Sequence, residues 1–210
     1  MLFLAYGQPT LPKFIGAPPV PLEAWAVITS ALCVWLTVIR TVWNFPFSIL
    51  ACTITAVYLD RLKLFGDMYL QFFFIVLAVQ GWYWWLNGGA NRTELPVTRA
   101  KLFDWSIVVG GIIGGTPLLI WLLTSKGSAP FWDAFTTSGS IVAQILLNRK
   151  KLENWFIWIV MDIIYVPLYW SRGAKLMSIL YAVFLIMCVA GLRDWRKELL
   201  RKEVPEPEVA

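Results

Sequence analysis

The sequence predicts an all-α integral membrane protein with seven transmembrane helices. Of its 210 residues, 59% are hydrophobic and 15% are charged, whereas soluble domains carry about 25% charged residues. The same composition excludes a disordered chain. A helix needs roughly 20 apolar residues to cross the bilayer, and seven stretches have this character. They are residues 24–39, 41–59, 68–91, 105–125, 134–148 and 176–192, which are uncharged, and 154–171, which contains only Asp162.

The first three spans resemble the last three when the sequence is shifted against itself until Asn44 falls on Asn154. Trp85 then falls on Trp195, and we call this shift the repeat offset. A three-helix unit ends on the side of the membrane opposite its start, so span 4 gives both units the same orientation. Two parallel units are a recurring plan of transporters. The predicted segments are an extracytoplasmic stretch 1–21, a first repeat 22–90, a linker with helix 4 at 91–127, a second repeat 128–196 and a cytoplasmic tail 197–210.

Span 4 contains two overlapping GxxxG pairs. Such glycines let another backbone approach closely. The sequence leaves two interpretations open, contact with another subunit and packing within the chain. The four residues are Gly110, Gly111, Gly114 and Gly115.

The basic residues predict the orientation of the chain. Twelve of the 18 Lys and Arg residues fall on the side that holds the C-terminus, and six fall on the other side. Cytoplasmic loops collect basic residues, so we expect a cytoplasmic C-terminus and an N-terminus outside. The net charge of +5 then needs no nucleic-acid partner.

Residue types that the sequence lacks exclude several kinds of chemistry. It contains no histidine, which excludes Ser/His or Cys/His catalysis and zinc sites built on histidine. A GxxxxGK[ST] motif for nucleotide phosphates is also missing. The three cysteines lie in different spans without CxxC spacing, which favours small apolar fillers. We therefore predict neither an enzyme nor a bound cofactor.

Asp162 is the strongest candidate for a functional residue. A carboxyl group within a span is costly unless it faces the protein interior. Trp155, Trp158, Tyr165 and Tyr169 share its helical stripe. The stripe indicates a ligand site, and the alternative is a structural hydrogen bond between two helices.

Two further spans supply polar and aromatic groups. Span 5 places amides and hydroxyls along one side, and these groups cannot face lipid without losing hydrogen bonds. In span 3, Gln80 and Trp84 lie one turn apart. Amides beside aromatic planes suit a flat polar ligand, and a cationic ligand would gain cation–π attraction. The span 5 residues are Thr137, Ser140 or Ile141, Gln144 and Asn148. The tryptophans interpreted as anchors at the membrane surface are Trp82, Trp85, Trp132 and Trp195.

Several of these motifs resemble the nicotinamide riboside transporters of the PnuC type. The resemblance covers residues 43–90 and 150–197 and includes Phe65-Gly66-Asp67, Gln80-Gly81-Trp82, Glu153-Asn154-Trp155 and the run from Tyr181 to Arg196. Phe65 departs from the family, in which an aromatic hydroxyl is common at this position.

The resemblance implies a bacterial inner-membrane carrier with a SWEET-like arrangement, assembled as a homotrimer. It also implies facilitated diffusion of nicotinamide riboside, with trapping by a cytoplasmic nicotinamide riboside kinase. On this basis Trp84, Trp155 or Trp158 would stack on the pyridinium ring, and Asp162 with Tyr165 would balance its charge. Amides would bind the carboxamide or the ribose; they are Gln80, Gln144 and Asn148, with Asn44 and Asn154 serving the two repeats.

Two other functions remain open from the residues alone. A proton-coupled carrier of another vitamin or sugar could use Asp162 as its proton site. A structural or assembly subunit would use the polar stripes for subunit contacts only.

Overall fold

A computed structural model describes residues 20–61, 65–123, 130–171 and 175–203. Within these residues the chain forms seven α-helices and one short 3₁₀ helix, Ala90–Arg92, without a β-strand. The all-α fold is thus confirmed. Most of the predicted segment 1–21 and the end of the predicted tail lie outside the described residues. The helices are α1 (Val20–Val38), α2 (Asn44–Arg61), α3 (Phe65–Asn87), α4 (Leu102–Leu123), α5 (Pro130–Asn148), α6 (Asn154–Ser171) and α7 (Lys175–Glu203).

The outer surface of the helices is apolar. Three stretches are long and apolar enough to cross a membrane by length and composition, namely Met68–Asn87, Leu102–Leu122 and Ser178–Arg201. Shorter apolar stretches occupy α1 and α2. Large exposed side chains on several helices are hydrophobic, including Val76, Ile113, Trp121 and Ile186. Such a surface is typical of contact with lipid rather than water.

The helix bounds recur at the repeat offset. Helices α1 and α5 correspond at both ends, as do α2 and α6, and α3 and α7 correspond at their first residues. We call α1–α3 the first helix set and α5–α7 the second helix set. Helix α4 lies between them in sequence and packs against α5.

The turn after α1 matches the turn after α5. Arg40 and Lys150 both have left-handed backbones, with φ of 60° and 52°. Such a residue commonly ends a helix, although glycine is more usual there. Asn44 then donates from Nδ2 to the carbonyl oxygen three residues earlier at 2.7 Å, and Asn154 does the same at 2.6 Å. The same local motif therefore positions the start of α2 and of α6.

Two buried tryptophans join the helix sets by a pair of crossed hydrogen bonds. Trp85 donates from Nε1 to the Leu147 carbonyl at 3.1 Å. Trp195 donates to the Thr37 carbonyl at the same distance. Both side chains are 0% exposed. The interpretation of Trp85 and Trp195 as anchors at the membrane surface is therefore wrong, because each indole is used inside the protein to bond the opposite set.

Aromatic packing surrounds these two bonds. The Trp85 and Trp195 rings lie 5.8 Å apart. Phe45 packs edge-on against Trp85 at 5.1 Å, and Trp155 packs edge-on against Trp195 at 5.4 Å. Edge-to-face pairs at these distances are favourable beyond their buried area. The four rings thus form one buried cluster to which both helix sets contribute equally.

The glycines of α4 divide between two faces. A Cβ atom on Gly111 would lie 2.4 Å from Cγ2 of Val142, and one on Gly115 would lie 3.0 Å from Oγ of Ser138. At Gly110 and Gly114 an added Cβ would meet open space. Gly111 and Gly115 therefore serve packing of α4 against α5 within the chain.

The segment before α4 is attached to the turn between α5 and α6. Thr98 and Lys151 form an isolated parallel bridge. Asp104, whose side chain is buried, pairs with Arg149 at 2.8 Å and with Lys151 at 3.5 Å. A buried carboxylate needs such partners to offset its lost hydration. These contacts fix α4 to the second helix set.

Candidate binding cavity

A cavity of about 710 Å³, its open mouth included, lies between the two helix sets. All six helices of the two sets contribute to its wall, and none of the lining residues comes from α4. The lining residues are Cys33, Val34, Thr37, Asn44, Ser48, Cys52, Phe74, Gln144, Leu147, Trp155, Trp158, Asp162, Tyr181, Phe184 and Cys188. We call this space the central cavity.

Many lining residues occur as pairs that are related by the repeat offset. Each pair brings one residue from the first helix set and its counterpart from the second. The central cavity therefore lies where the two sets face each other, which is where a carrier with two repeats places its ligand. The pairs are Val34 and Gln144, Thr37 and Leu147, Ser48 and Trp158, Cys52 and Asp162, and Phe74 and Phe184.

Asp162 is the one acidic residue among those that line the cavity, and no lysine or arginine is among them. Its side chain is only 3% exposed. Within the described part of the chain it accepts a hydrogen bond from the Cys188 thiol, 3.4 Å from Oδ2. A weak thiol donor does not compensate a buried carboxylate charge. Among the described residues that line the cavity, no positive charge balances this carboxyl group.

Two indole rings of α6 line the same cavity as this carboxyl group. Trp158 is half-buried, and Trp155 is almost fully buried. The Nε1 atom of Trp155 has no hydrogen-bond partner among the described residues. A buried donor without a partner is unfavourable, and this N–H belongs to a residue that lines the cavity. The Cβ position of Gly191 lies 2.5 Å from the Trp155 ring, so the absence of a side chain there allows the indole its place.

Stacked tyrosines close the cavity wall beyond Asp162. The Tyr165 and Tyr181 ring centroids are 4.5 Å apart, and those of Tyr169 and Tyr181 are 5.0 Å apart. Tyr181 also packs edge-on against Phe184. The buried Tyr165 hydroxyl has no partner within hydrogen-bond criteria among the described residues. Rings that pack on one another in this way make a stiff apolar wall for a flat ligand.

Two consecutive hydrogen bonds between side-chain amides and a carbonyl connect the cavity to α3. Gln144 donates from Nε2 to Oδ1 of Asn148 at 3.0 Å. Asn148 donates from Nδ2 to the Leu77 carbonyl at 2.7 Å. Asn148 is fully buried, whereas Gln144 is half-buried and lines the cavity. These two hydrogen bonds therefore fix the side of the Gln144 amide that faces Asn148.

The structure brings five of the ten predicted site residues together. Asn44, Gln144, Trp155, Trp158 and Asp162 line the cavity. The other five do not line it. Asn148 lies one hydrogen bond behind Gln144, Asn154 and Tyr165 are buried in the surrounding wall, and Gln80 and Trp84 lie elsewhere on α3.

The prediction that Gln80 faces the ligand is wrong in this structure. The inward face of α3 is formed by Phe74, Leu77, Ala78, Gly81 and Trp85, which are all buried. With 3.6 residues per turn, this pattern turns Gln80 outward, and its side chain is exposed. Trp84 is half-buried beside the same face without reaching the cavity.

Sequence reasoning missed most of the small cavity residues. Ser48 and Cys52 carry no chemical signal of their own, but the repeat offset aligns them with Trp158 and Asp162. The internal repeat could therefore have identified them. The three cysteines predicted as small apolar fillers are all buried and all line the cavity, and Cys188 also contacts Asp162.

A cavity of indoles, amides and one carboxyl group, inside helices with an apolar exterior, is typical of a multi-pass membrane protein with a small-molecule site between two helix sets. This class is that of the membrane transporters. The chain belongs to the family described as nicotinamide mononucleotide transporter, whose model matches residues 20–197. The predicted resemblance to PnuC-type transporters is thereby confirmed, as is the prediction that the protein is a transporter rather than an enzyme.

Individual relatives agree with this family. The nicotinamide riboside transporter PnuC of Escherichia coli (strain K12) is 26% identical over 201 residues, covering 83% of this chain and 84% of the relative. The riboflavin/roseoflavin transporter RibM of Streptomyces davaonensis is 26% identical over 170 residues, covering 74% and 75%. A crystal structure of the vitamin B3 transporter PnuC is similar with a TM-score of 0.70 and 27% identity, covering 90% of this chain and 86% of that chain.

Proposed function

We propose that this protein carries nicotinamide riboside across the bacterial inner membrane by facilitated diffusion. The observation that supports this most strongly is Asp162, a buried carboxyl group in an aromatic cavity whose lining residues include no basic side chain. The pyridinium ring of the riboside supplies one positive charge on a flat aromatic plane. A desolvated cation gains about 2 kcal/mol or more from an indole face and neutralises the carboxylate as well.

The charge of the cavity favours the riboside over the mononucleotide in the family description. A phosphate monoester carries about −1.5 to −2 charges at neutral pH. It would enter a cavity that already contains Asp162 and has no arginine or lysine in its lining to receive it. Nicotinamide riboside has the same base and sugar without this charge. The PnuC relatives are likewise named for the riboside.

Each ligand group has a suitable partner in the cavity. Trp155 and Trp158 would stack on the pyridinium ring, and Asp162 would balance its charge. Gln144 and Asn44 would bind the carboxamide or the ribose hydroxyls. The residues behind them, Asn148, Asn154 and Tyr165, would hold the wall in place, and Gln80 and Trp84 have no direct part.

The two helix sets support a SWEET-like 3+1+3 arrangement of two parallel repeats. The matching helix bounds at the repeat offset and the crossed bonds of Trp85 and Trp195 argue for this arrangement. Facilitated diffusion needs a cavity that opens to each side in turn, and a cytoplasmic kinase would maintain inward flux by phosphorylating the riboside. The distribution of Lys and Arg argues for an N-terminus outside and a C-terminus in the cytoplasm. The open face of α4 at Gly110 and Gly114 suits a homotrimer contact.

Riboflavin is a second candidate substrate, because the similar protein RibM is named for riboflavin and roseoflavin. Riboflavin is flat and polar but neutral, so it would leave Asp162 without a counter-charge. A riboflavin carrier would need this carboxyl group to be protonated, as would a proton-coupled carrier.

The proposal is tested with purified protein and a panel of nicotinamide riboside, nicotinamide, nicotinamide mononucleotide, riboflavin, thiamine and glucose. We expect calorimetric binding and thermal stabilisation by the riboside, and at least tenfold weaker binding of the mononucleotide. Binding of riboflavin with no binding of the riboside would overturn the proposal.

A second measurement tests the mode of transport. In proteoliposomes without a pH gradient, the riboside should equilibrate between the inside and the outside. Accumulation above the outside concentration when a proton gradient is applied would instead establish proton coupling.

A further inference from the structure

The orientation of the Gln144 amide follows from a single backbone carbonyl. A carbonyl oxygen can only accept, so the Asn148 atom that faces the Leu77 oxygen must be the NH₂ group. This places Oδ1 of Asn148 toward Gln144. Because Oδ1 also only accepts, Gln144 must turn its own NH₂ group toward Asn148. A flip of Asn148 alone would lose both hydrogen bonds and set its oxygen against the Leu77 oxygen. A flip of Gln144 alone would lose the bond between the two amides and set oxygen against oxygen.

Gly81 opens the path by which Asn148 reaches this carbonyl. In an α-helix the Leu77 carbonyl already accepts the N–H of residue 81, and its second lone pair is free for Asn148. A Cβ atom on Gly81 would lie 2.4 Å from Oδ1 of Asn148. Any side chain there would therefore displace Asn148 from Leu77 and from Gln144, and it would also press on the Phe45 ring, whose Cε1 atom would lie 2.6 Å away.

The fixed amide determines what Gln144 offers to a ligand. One N–H is used by Asn148, which leaves the carbonyl oxygen as an acceptor and the second N–H as a donor. A primary carboxamide complements both, since it donates from its NH₂ and accepts at its oxygen. A carboxylate has only acceptors, so it would meet the Gln144 oxygen without a hydrogen atom between them.

We propose that Asn148 is a positioning residue that makes Gln144 selective for a primary carboxamide over the corresponding carboxylate. This inference rests on the proposed function, because it concerns the base of the proposed riboside. Transport would then be restricted to the amide form, nicotinamide riboside, and would reject its deamidated counterpart, nicotinic acid riboside.

Asp162 also disfavours a carboxylate ligand, because both groups are negative. The two causes can be separated, since variants of Asn148 and Gly81 leave Asp162 in the cavity. When the support of Gln144 is lost, its amide can rotate and present NH₂ to either ligand. Selectivity should then fall although the charge of the cavity is unchanged.

The experiment measures calorimetric binding of both ribosides to the full-length wild type and to Asn148→Ala, Gly81→Ala and Gln144→Met. We expect the wild type to prefer the amide by about a hundredfold or more. Each variant should reduce this ratio by about tenfold, the change typical of one hydrogen bond. Val79→Ala on α3 is the matched control, because this side chain is exposed and does not line the cavity, and it should keep the wild-type ratio.

The outcomes separate this inference from the function on which it rests. If the wild type binds neither riboside, the proposed function fails. If it binds both within threefold, the function stands and the selectivity inference is overturned. A wild-type ratio in Asn148→Ala also overturns it. Should Asn148→Ala fail to fold, Asn148→Ser decides by the same criterion, because it also removes the supporting amide and leaves Gln144 in place.

Discussion

The two helix sets share a scaffold and differ in chemistry. At three pairs of matching cavity positions, the first set has Val34, Ser48 and Cys52, whereas the second has Gln144, Trp158 and Asp162. The first set thus contributes small side chains that leave space. The second set contributes the amide, the indole and the carboxyl group that can bind a ligand.

The contacts between the two sets show no such difference. Trp85 and Trp195 donate to equivalent carbonyls at the same distance, and Phe45 and Trp155 pack on them in the same edge-on geometry. A ligand without symmetry cannot match two identical walls at once. The comparison teaches that residues which hold the sets together can stay alike, while those facing an asymmetric ligand must diverge.

Removing the charge of the second set should have the strongest effect. Asp162→Asn should weaken binding of nicotinamide riboside by about a hundredfold, since loss of one partner of a buried charge pair costs about 2–5 kcal/mol. Calorimetry on purified protein measures this change. Cys52→Ser, at the matching position of the first set, is the control and should stay within threefold of the wild type. An affinity of Asp162→Asn near that of the wild type would contradict the division of roles.

The second largest loss of affinity is expected when Trp158 of the second set is replaced by the residue type of the first set. Trp158→Ser introduces a serine, as at the matching position Ser48, and removes one aromatic ring face from the cavity. We expect about tenfold weaker riboside binding, because such contacts contribute about 1–2 kcal/mol. Titration of tryptophan fluorescence or calorimetry measures it. The control is Ser48→Ala, and an equal loss in both variants would show that the two sets contribute alike.

The shared scaffold predicts equal losses of stability on its two sides. Trp85→Phe and Trp195→Phe each delete one indole N–H that bonds the opposite set. Each should lower the free energy of unfolding by about 1 kcal/mol, measured by chemical unfolding in detergent. The double variant reports whether the bonds are coupled. Losses that differ by more than about 1 kcal/mol would contradict the equivalence of the two sites.

The smallest effect is expected at the left-handed residues that end α1 and α5. Arg40 pairs with Asp194 and, at 3.8 Å, with Glu198. Because these side chains are partly exposed, Arg40→Gln should cost at most about 0.5 kcal/mol and less at high salt. The buried counterpart Lys150 has its Nζ atom 4.4 Å from the Trp85 ring centroid. Lys150→Gln should therefore destabilise the protein more than Arg40→Gln in the same unfolding assay.

The helices and the α6 stripe can be predicted from the sequence because they depend on signals along one chain segment. Charge-free stretches mark helices in a membrane protein, and a carboxyl group in such a stretch must face inward. These signals are sufficient to place Asp162, Trp155 and Trp158 at the cavity. Gln144 follows from the same reasoning, since α5 carries its polar groups on one side.

The rotation of α3 about its axis cannot be predicted in this way. In a soluble helix the contrast between polar and apolar faces indicates the inward side, but a helix in lipid is apolar on both. Tryptophan adds to the ambiguity, because it is common at the membrane surface and also serves as a buried donor. The sequence alone therefore assigns Trp85 and Trp195 to the surface and Gln80 to the interior. Only the partner carbonyls of Leu147 and Thr37, which are far away in sequence, distinguish the two roles.

The crossed tryptophan bonds also limit how the molecule can move. Each bond ties one helix set to the other, and the two bonds run in opposite senses between the same pair of bodies. A movement that separates the two helix sets lengthens both hydrogen bonds at the same time. Neither bond can therefore break independently of the other in such a movement. The four-ring cluster is therefore a single connection between the helix sets. It is either broken as a whole or kept as the pivot about which the rest of the protein tilts.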